Sequence, residues 1–215
     1  MKFLEKFRDR WHTPRAHVYV SERHGVRSLH VGSDTIQSSM RLSRPYDLEL
    51  SYTRSMMAFL LFAAQPAEIL MIGLGGGSLA KFCYHQLNDA RIRVVEISPK
   101  VVAIARQLFH VPADQARFQV ITADAAQYVQ REDVRVDVIA IDGYEADTVV
   151  EDLASPAFYA ACRKRLNPGG VVSINLWGGD RLFGTLLSRI KEAYAGTLCL
   201  PAERPGNVVV FGFQR

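Results

Sequence analysis

Acidic side chains stand at three places where an apolar stretch ends. Glu96 closes Ile92–Val95, Asp124 follows Phe118–Thr122, and Asp142, with Glu145 close behind, follows Val136–Ile141. Carboxylates so placed can accept hydrogen bonds from ribose hydroxyls or an adenine amino group, and one of them can take a proton from an attacking amine. A further apolar stretch, Ile69–Ile72, stops instead at four glycines within five positions, Gly73, Gly75, Gly76 and Gly77. Glycines tolerate positive φ and let a ligand approach bare backbone at a helix start. From Gly73 to Glu96 is 23 positions, close to the interval at which nucleotide-binding folds place a ribose-binding acid after a Gly-rich turn. Each acid also has a structural alternative. Glu96 can cap the helix that starts near Ser98-Pro99-Lys100, Asp124 can be the N-cap of the helix after it, and Asp142 can hold its own loop.

The elements that must position these residues follow from hydrophobic period and turn chemistry. Strands are expected at 68–73, 91–97, 117–122, 136–142, 169–176, 197–201 and 207–213, and helices at 78–88, 99–109, 124–131, 155–166 and 181–195. Such alternation predicts an α/β fold, a Rossmann-like, doubly wound and mainly parallel seven-stranded sheet. The last two strands have no helix between them, which predicts an antiparallel C-terminal edge. Alternating residues over 17–38, with turns at Gly25 and Gly32, predict a small N-terminal β-hairpin subdomain. A helix is expected over 52–62, and Phe3, Leu4, Phe7 and Trp11 suggest an amphipathic one over 1–15. The predicted division is 1–65 for the N-terminal helix and hairpins and 66–215 for the nucleoside-binding catalytic part.

Composition excludes several classes. The longest apolar run, Met56–Ala64, is about half of the ~20 residues a membrane span needs, and the first residues lack the pattern of a signal peptide. Cys83, Cys162 and Cys199 are widely spaced in apolar patterns, and the six histidines show no metal-ligand spacing. Reduced thiols, no metal and a cytoplasmic location are expected. The net charge of +4 lies in residues 1–65, which hold 10 Lys/Arg against 6 Asp/Glu, whereas 66–215 hold 16 of each. No basic stripe with interleaved aromatics accompanies it, so nucleic acid is not an expected partner.

The ordered motifs resemble the spermidine synthase family of polyamine aminopropyltransferases. They are the Gly-rich turn, Val95-Glu96-Ile97-Ser98-Pro99, Thr122-Ala123-Asp124-Ala125, Ile141-Asp142-Gly143-Tyr144-Glu145, Ser155-Pro-Ala-Phe-Tyr159 and Leu166-Asn-Pro-Gly-Gly-Val-Val172. The segment from Gly25 to Gly32, followed by Gln37-Ser-Ser39, is similar to that family's N-terminal hairpins. The resemblance implies decarboxylated S-adenosylmethionine as co-substrate and a small amine as acceptor. It implies that Gln37, Gly73, Gly75, Gly77, Glu96, Asp124 and Ala125 hold the adenosyl ligand. Asp142 would be the base and Glu145 would stand at the second acid, with Tyr52 and Tyr144 against the acceptor. A homodimer is also implied. Two positions depart from the family pattern: Gly76 stands where an acid holds the ligand's amine end, and Arg54 stands where Tyr-x-Glu is usual. Arg41 and Arg44 lie nearby. Either these arginines point to solvent or the acceptor is not an ordinary polyamine. A methyltransferase using S-adenosylmethionine on the same frame, and a domain that binds an adenosyl ligand without catalysis, are the alternative readings.

Overall fold

The computed structural model describes residues 18–145, 148–203 and 206–214, with the backbone alone at 144, 145, 148 and 149. The helix expected over 1–15 lies outside these residues. The chain opens with β1 (Val18–Arg23), β2 (Val26–Val31) and β3 (Ile36–Arg41), which form a three-stranded antiparallel sheet. His24 and Gly25, the two residues between β1 and β2, both have positive φ. That is the turn whose twist matches a β-hairpin. The third strand runs further than the hairpin pattern over 17–38 predicts, because Ser38, Ser39 and Met40 are buried against the body of the molecule.

The helix expected over 52–62 divides into α1 (Ser51–Met56) and a 3-10 turn at Met57–Leu61. An α/β succession follows: β4 (Glu68–Ile72), α2 (Ser78–Gln86), β5 (Arg91–Glu96), α3 (Pro99–Leu108), β6 (Phe118–Thr122), α4 (Ala125–Tyr128) and β7 (Val136–Ile141). A short backbone hairpin, β8 (Tyr144–Glu145) with β9 (Thr148–Val149), leads to a 3-10 turn at Glu151–Ala154. The chain continues through α5 (Pro156–Arg165), β10 (Leu166–Trp177), α6 (Phe183–Ala193), β11 (Gly196–Pro201) and β12 (Asn207–Phe213).

The second sheet has seven strands in the order β11-β12-β10-β7-β4-β5-β6. Pairs from β10 to β6 are parallel, while β12 runs antiparallel to both β10 and β11. This is the mainly parallel sheet with an antiparallel edge that the alternation predicts. Strands buried on both faces need apolar residues at every position. In β4, Leu70 and Ile72 join the core formed with Phe158, Tyr159, Leu186 and Ile190, while Ile69 and Met71 join the core formed with Met56, Phe59, Cys83 and Phe118. A third cluster, Val18, Leu29, Met40, Val101 and Phe109, seats the N-terminal sheet on α3.

Candidate active site

β7, β4, β5 and β6 are adjacent and parallel, so their C-terminal ends share one side of the sheet. A cavity of about 640 Å³ opens there, within the range of small-molecule sites. Gly73 and Gly75 follow β4, Glu96 ends β5, Thr122 to Ala125 follow β6, and Asp142 and Gly143 follow β7. Val18, Val31 and Gln37 of the N-terminal sheet form one wall, and Val150, Asp152 and Leu153 another.

The loop after β4 cannot carry side chains freely. Gly73 has φ +89°, and a Cβ there would lie 2.2 Å from the carbonyl oxygen of Asp142. Gly77 has φ +70°, and a Cβ there would lie 2.4 Å from Val111. Gly77 is not on the cavity wall; it makes the turn into α2, donating its N–H to Leu74 O at 2.8 Å.

Glu96 is buried. Its Oε2 accepts the Leu74 N–H and its Oε1 the Ser98 N–H, each at 2.9 Å. Burial pushes its carboxyl above the usual range, and backbone N–H groups of Leu74, Ser98, Ile97 and Gly75 oppose that shift. The cap of α3 is Ser98, whose Oγ accepts from Val101 N. Glu96 therefore ties the Gly-rich loop to the end of β5. Glu96 also lines the cavity wall. Asp124 takes its structural alternative, capping α4 by accepting from Ala126 N at 2.8 Å and Gln127 Nε2 at 3.1 Å, and it also lines the cavity.

Asp142 has both oxygens engaged. Asn175 Nδ2 donates to Oδ1 at 2.8 Å, and the Tyr52 hydroxyl donates to Oδ2 at 3.0 Å. Burial pushes the Asp142 carboxyl up, and these two bonds pull it partly back. Burial and then the Asp142 charge hold the Tyr52 phenol well above its ordinary value. Tyr52 does not line the main cavity. It borders a second cavity of about 20 Å³ behind Asp142, with Gln37, Ser38 and Ser78. The side chains of Tyr144 and Glu145 lie outside the described residues.

The two departures have local explanations. A Cβ at Gly76 would lie 2.7 Å from Ser38 Oγ and 2.8 Å from the buried Phe109 ring, so the space an acid would enter is filled. Arg54 donates to Leu48 O, Glu49 O and Glu203 Oε2. Arg41 pairs with Glu49 and Arg44 with Asp47, and none of the three arginines lines either cavity. Among the described lining residues of the main cavity, four are acidic (Glu96, Asp124, Asp142, Asp152) and one, Lys100, is basic. The described residues contain no group of three or more side chains able to hold a metal ion.

Residues 49–181 match the spermine/spermidine synthase domain. A polyamine aminopropyltransferase of Neisseria meningitidis is 43% identical over 199 residues, covering 92% of this chain and 76% of that protein. The chain belongs to the spermine/spermidine synthase family. A probable spermidine synthase from Corynebacterium glutamicum superposes with a TM-score of 0.76 at 20% identity, covering 94% of this chain and 81% of that one. The human methyltransferase-like protein 13, solved with SAH, has a TM-score of 0.70 at 25% identity, covering 77% of this chain and 83% of that one. As a member of the spermine/spermidine synthase family, the protein is a transferase.

Sequence reasoning missed Asn175 and Asn207, which stand behind Asp142. Asn175 lies inside the apolar run Val171–Leu176 of β10 and is 5% exposed. A lone amide in a buried strand is the signal that was available, because buried polar groups need partners.

Proposed function

We propose that this protein transfers an aminopropyl group from decarboxylated S-adenosylmethionine to a small amine. One observation carries the reading: a buried Asp142, fixed by two hydrogen bonds, on the wall of a cavity whose charged side chains are acids four to one. Such a wall suits a sulfonium and an ammonium. Glu96 and Asp124 would hold the nucleoside. Lys100 follows Glu96 at the start of α3, beside the expected ribose. No described lining residue beside Gly73, Gly75 and Asp142 is a cation, so nothing there would pair with the carboxylate of S-adenosylmethionine. That favours the decarboxylated form over the methyl donor.

Asp142 would accept a proton from the acceptor's ammonium. The freed lone pair then forms the N–C bond while the C–S bond breaks, its pair returning to sulfur. The kind of protein named in the Neisseria relative supports the same chemistry. The test incubates the protein with decarboxylated S-adenosylmethionine and putrescine and measures spermidine and methylthioadenosine. Both products should appear, and Asp142→Asn should cost about 10²–10⁴-fold in kcat while methylthioadenosine still binds. Methyl transfer from S-adenosylmethionine with no aminopropyl product would overturn the reading.

A further inference from the structure

Asp142 is held from two sides, and both holders lead to the segment that joins β11 to β12. On one side Asn175 donates to Asp142 Oδ1, and Asn175 Oδ1 itself accepts from Asn207 Nδ2 at 3.0 Å. Asn207 is the first residue of β12 and pairs with Trp177 across the ladder, so it lies diagonally from Asn175 on the neighbouring strand. On the other side Tyr52 of α1 donates to Oδ2, and Arg54, two residues along α1, binds Glu203 at 3.0 Å. The Arg54–Glu203 pair is 48% and 80% exposed, and a pair so open to water adds little. The Asn207–Asn175 link is the stronger of the two connections because Asn175 is buried.

An amide can face a carboxylate with either its N–H₂ or its oxygen, and only the first is attractive to the ionised form. Asn175 alone has both choices. With Asn207 donating to its oxygen, the N–H₂ end is left for Asp142. We infer that Asn207 is a positioning residue for the candidate base: it fixes the orientation of the Asn175 amide and thereby keeps Asp142 ionised and aimed. The inference rests on the proposed role of Asp142. The described titratable groups around Asp142 are Tyr52 from α1 and, on the shared cavity wall, Glu96, Asp124 and Asp152, with Lys100 at the start of α3. None of these touches Asn207 in the described hydrogen-bond network.

Asn207→Asp tests this. It keeps the shape, replaces the donor with an acceptor and adds a negative charge. Protonation of Asp142 is then favoured both by the Asn175 oxygen turned toward it and by the new charge. Asn207→Ala, which adds no charge, isolates the part played by the amide, and an unmoved limb in Asn207→Ala would overturn the inference. On the acid side of the limb, where kcat/KM follows the ionised fraction, aminopropyl transfer by Asn207→Asp should fall about tenfold, with the limb moved up by about one pH unit. The affinity for methylthioadenosine should stay unchanged. Asn207→Ala, which frees the amide without inverting it, should move the limb in the same direction by less. An unchanged acid limb in Asn207→Asp, or a uniform loss at all pH values with weaker methylthioadenosine binding, would overturn the inference. A ¹³C titration of the Asp142 carboxyl in the wild type and Asn207→Asp needs no turnover. Its midpoint should rise in the variant, and an unmoved midpoint would overturn the inference. If the wild type consumes no amine, the proposed function falls on its own and the titration still decides the role of Asn207.

Discussion

Asp142 is a buried carboxylate whose charge burial opposes and two hydrogen bonds support. Burial raises its pKa above the 3.8 of an ordinary aspartate, while Asn175 and Tyr52 oppose the rise. As the proposed base, Asp142 would have to be ionised to act, so kcat/KM should fall on acidification through a limb lying above that ordinary value, read from a pH profile. Tyr52→Phe removes one bond to the ionised form and should move that limb further up; an unmoved limb would show that the hydroxyl does not support the charge. Gly76 yields a second expectation. Gly76→Asp should lower stability by about 1–3 kcal/mol, read from a urea midpoint, because its Cβ enters space held by Ser38 and the buried Phe109. It should not raise the transfer rate. The acids after the strands were legible in sequence because each closes an apolar run. Glu96 and Asp124 reach the cavity by their backbone bonds as much as by their position. Arg54 was legible only as an anomaly, since Glu203, its partner, lies 149 positions away.

The helices carry determinants of a different kind. Lys81 of α2 is 1% exposed and donates to Phe109 O at the end of α3 at 2.7 Å, beside Met40 of β3 at 3.2 Å. Burial pushes its ammonium down to about 8 from 10.5. Between those values the unfolded chain holds the extra proton, so stability contributed by this site rises with pH across that window. The wild type should gain about 2 kcal/mol from pH 7.5 to 9.5 relative to Lys81→Met, measured as the difference of urea midpoints. An equal pH response in both proteins would show that Lys81 does not titrate there. Strand and helix order followed the hydrophobic period closely, yet α4 stops at Tyr128 where a helix to 131 is predicted. Gln130 and Arg131 bond back in tighter turns to Gln127 and Tyr128. The period shows which face is apolar, but it does not show where the last hydrogen bond changes from four residues to three.

At the scale of the whole molecule, the cavity joins the N-terminal sheet to the seven-stranded one, and the two also meet through the Val18–Phe109 cluster and through β3 against α2. A ligand touching Gln37 and Glu96 together should therefore stabilise both sheets as one unit. Methylthioadenosine at 100 times its Kd should add about 2.7 kcal/mol in a single thermal transition; two transitions, with only one displaced, would contradict that coupling. The sheet order also has a consequence for synthesis. β12 is made after every other strand of the sheet, yet it lies between β10 and β11 rather than at the rim. Until β12 emerges from the ribosome, β10 shows an unpaired edge along seven residues and β11 has no partner at all. Open edges of that kind invite pairing with other chains. A growing polypeptide would thus carry that open edge from the emergence of β10 until β12 emerges to fill the place between β10 and β11.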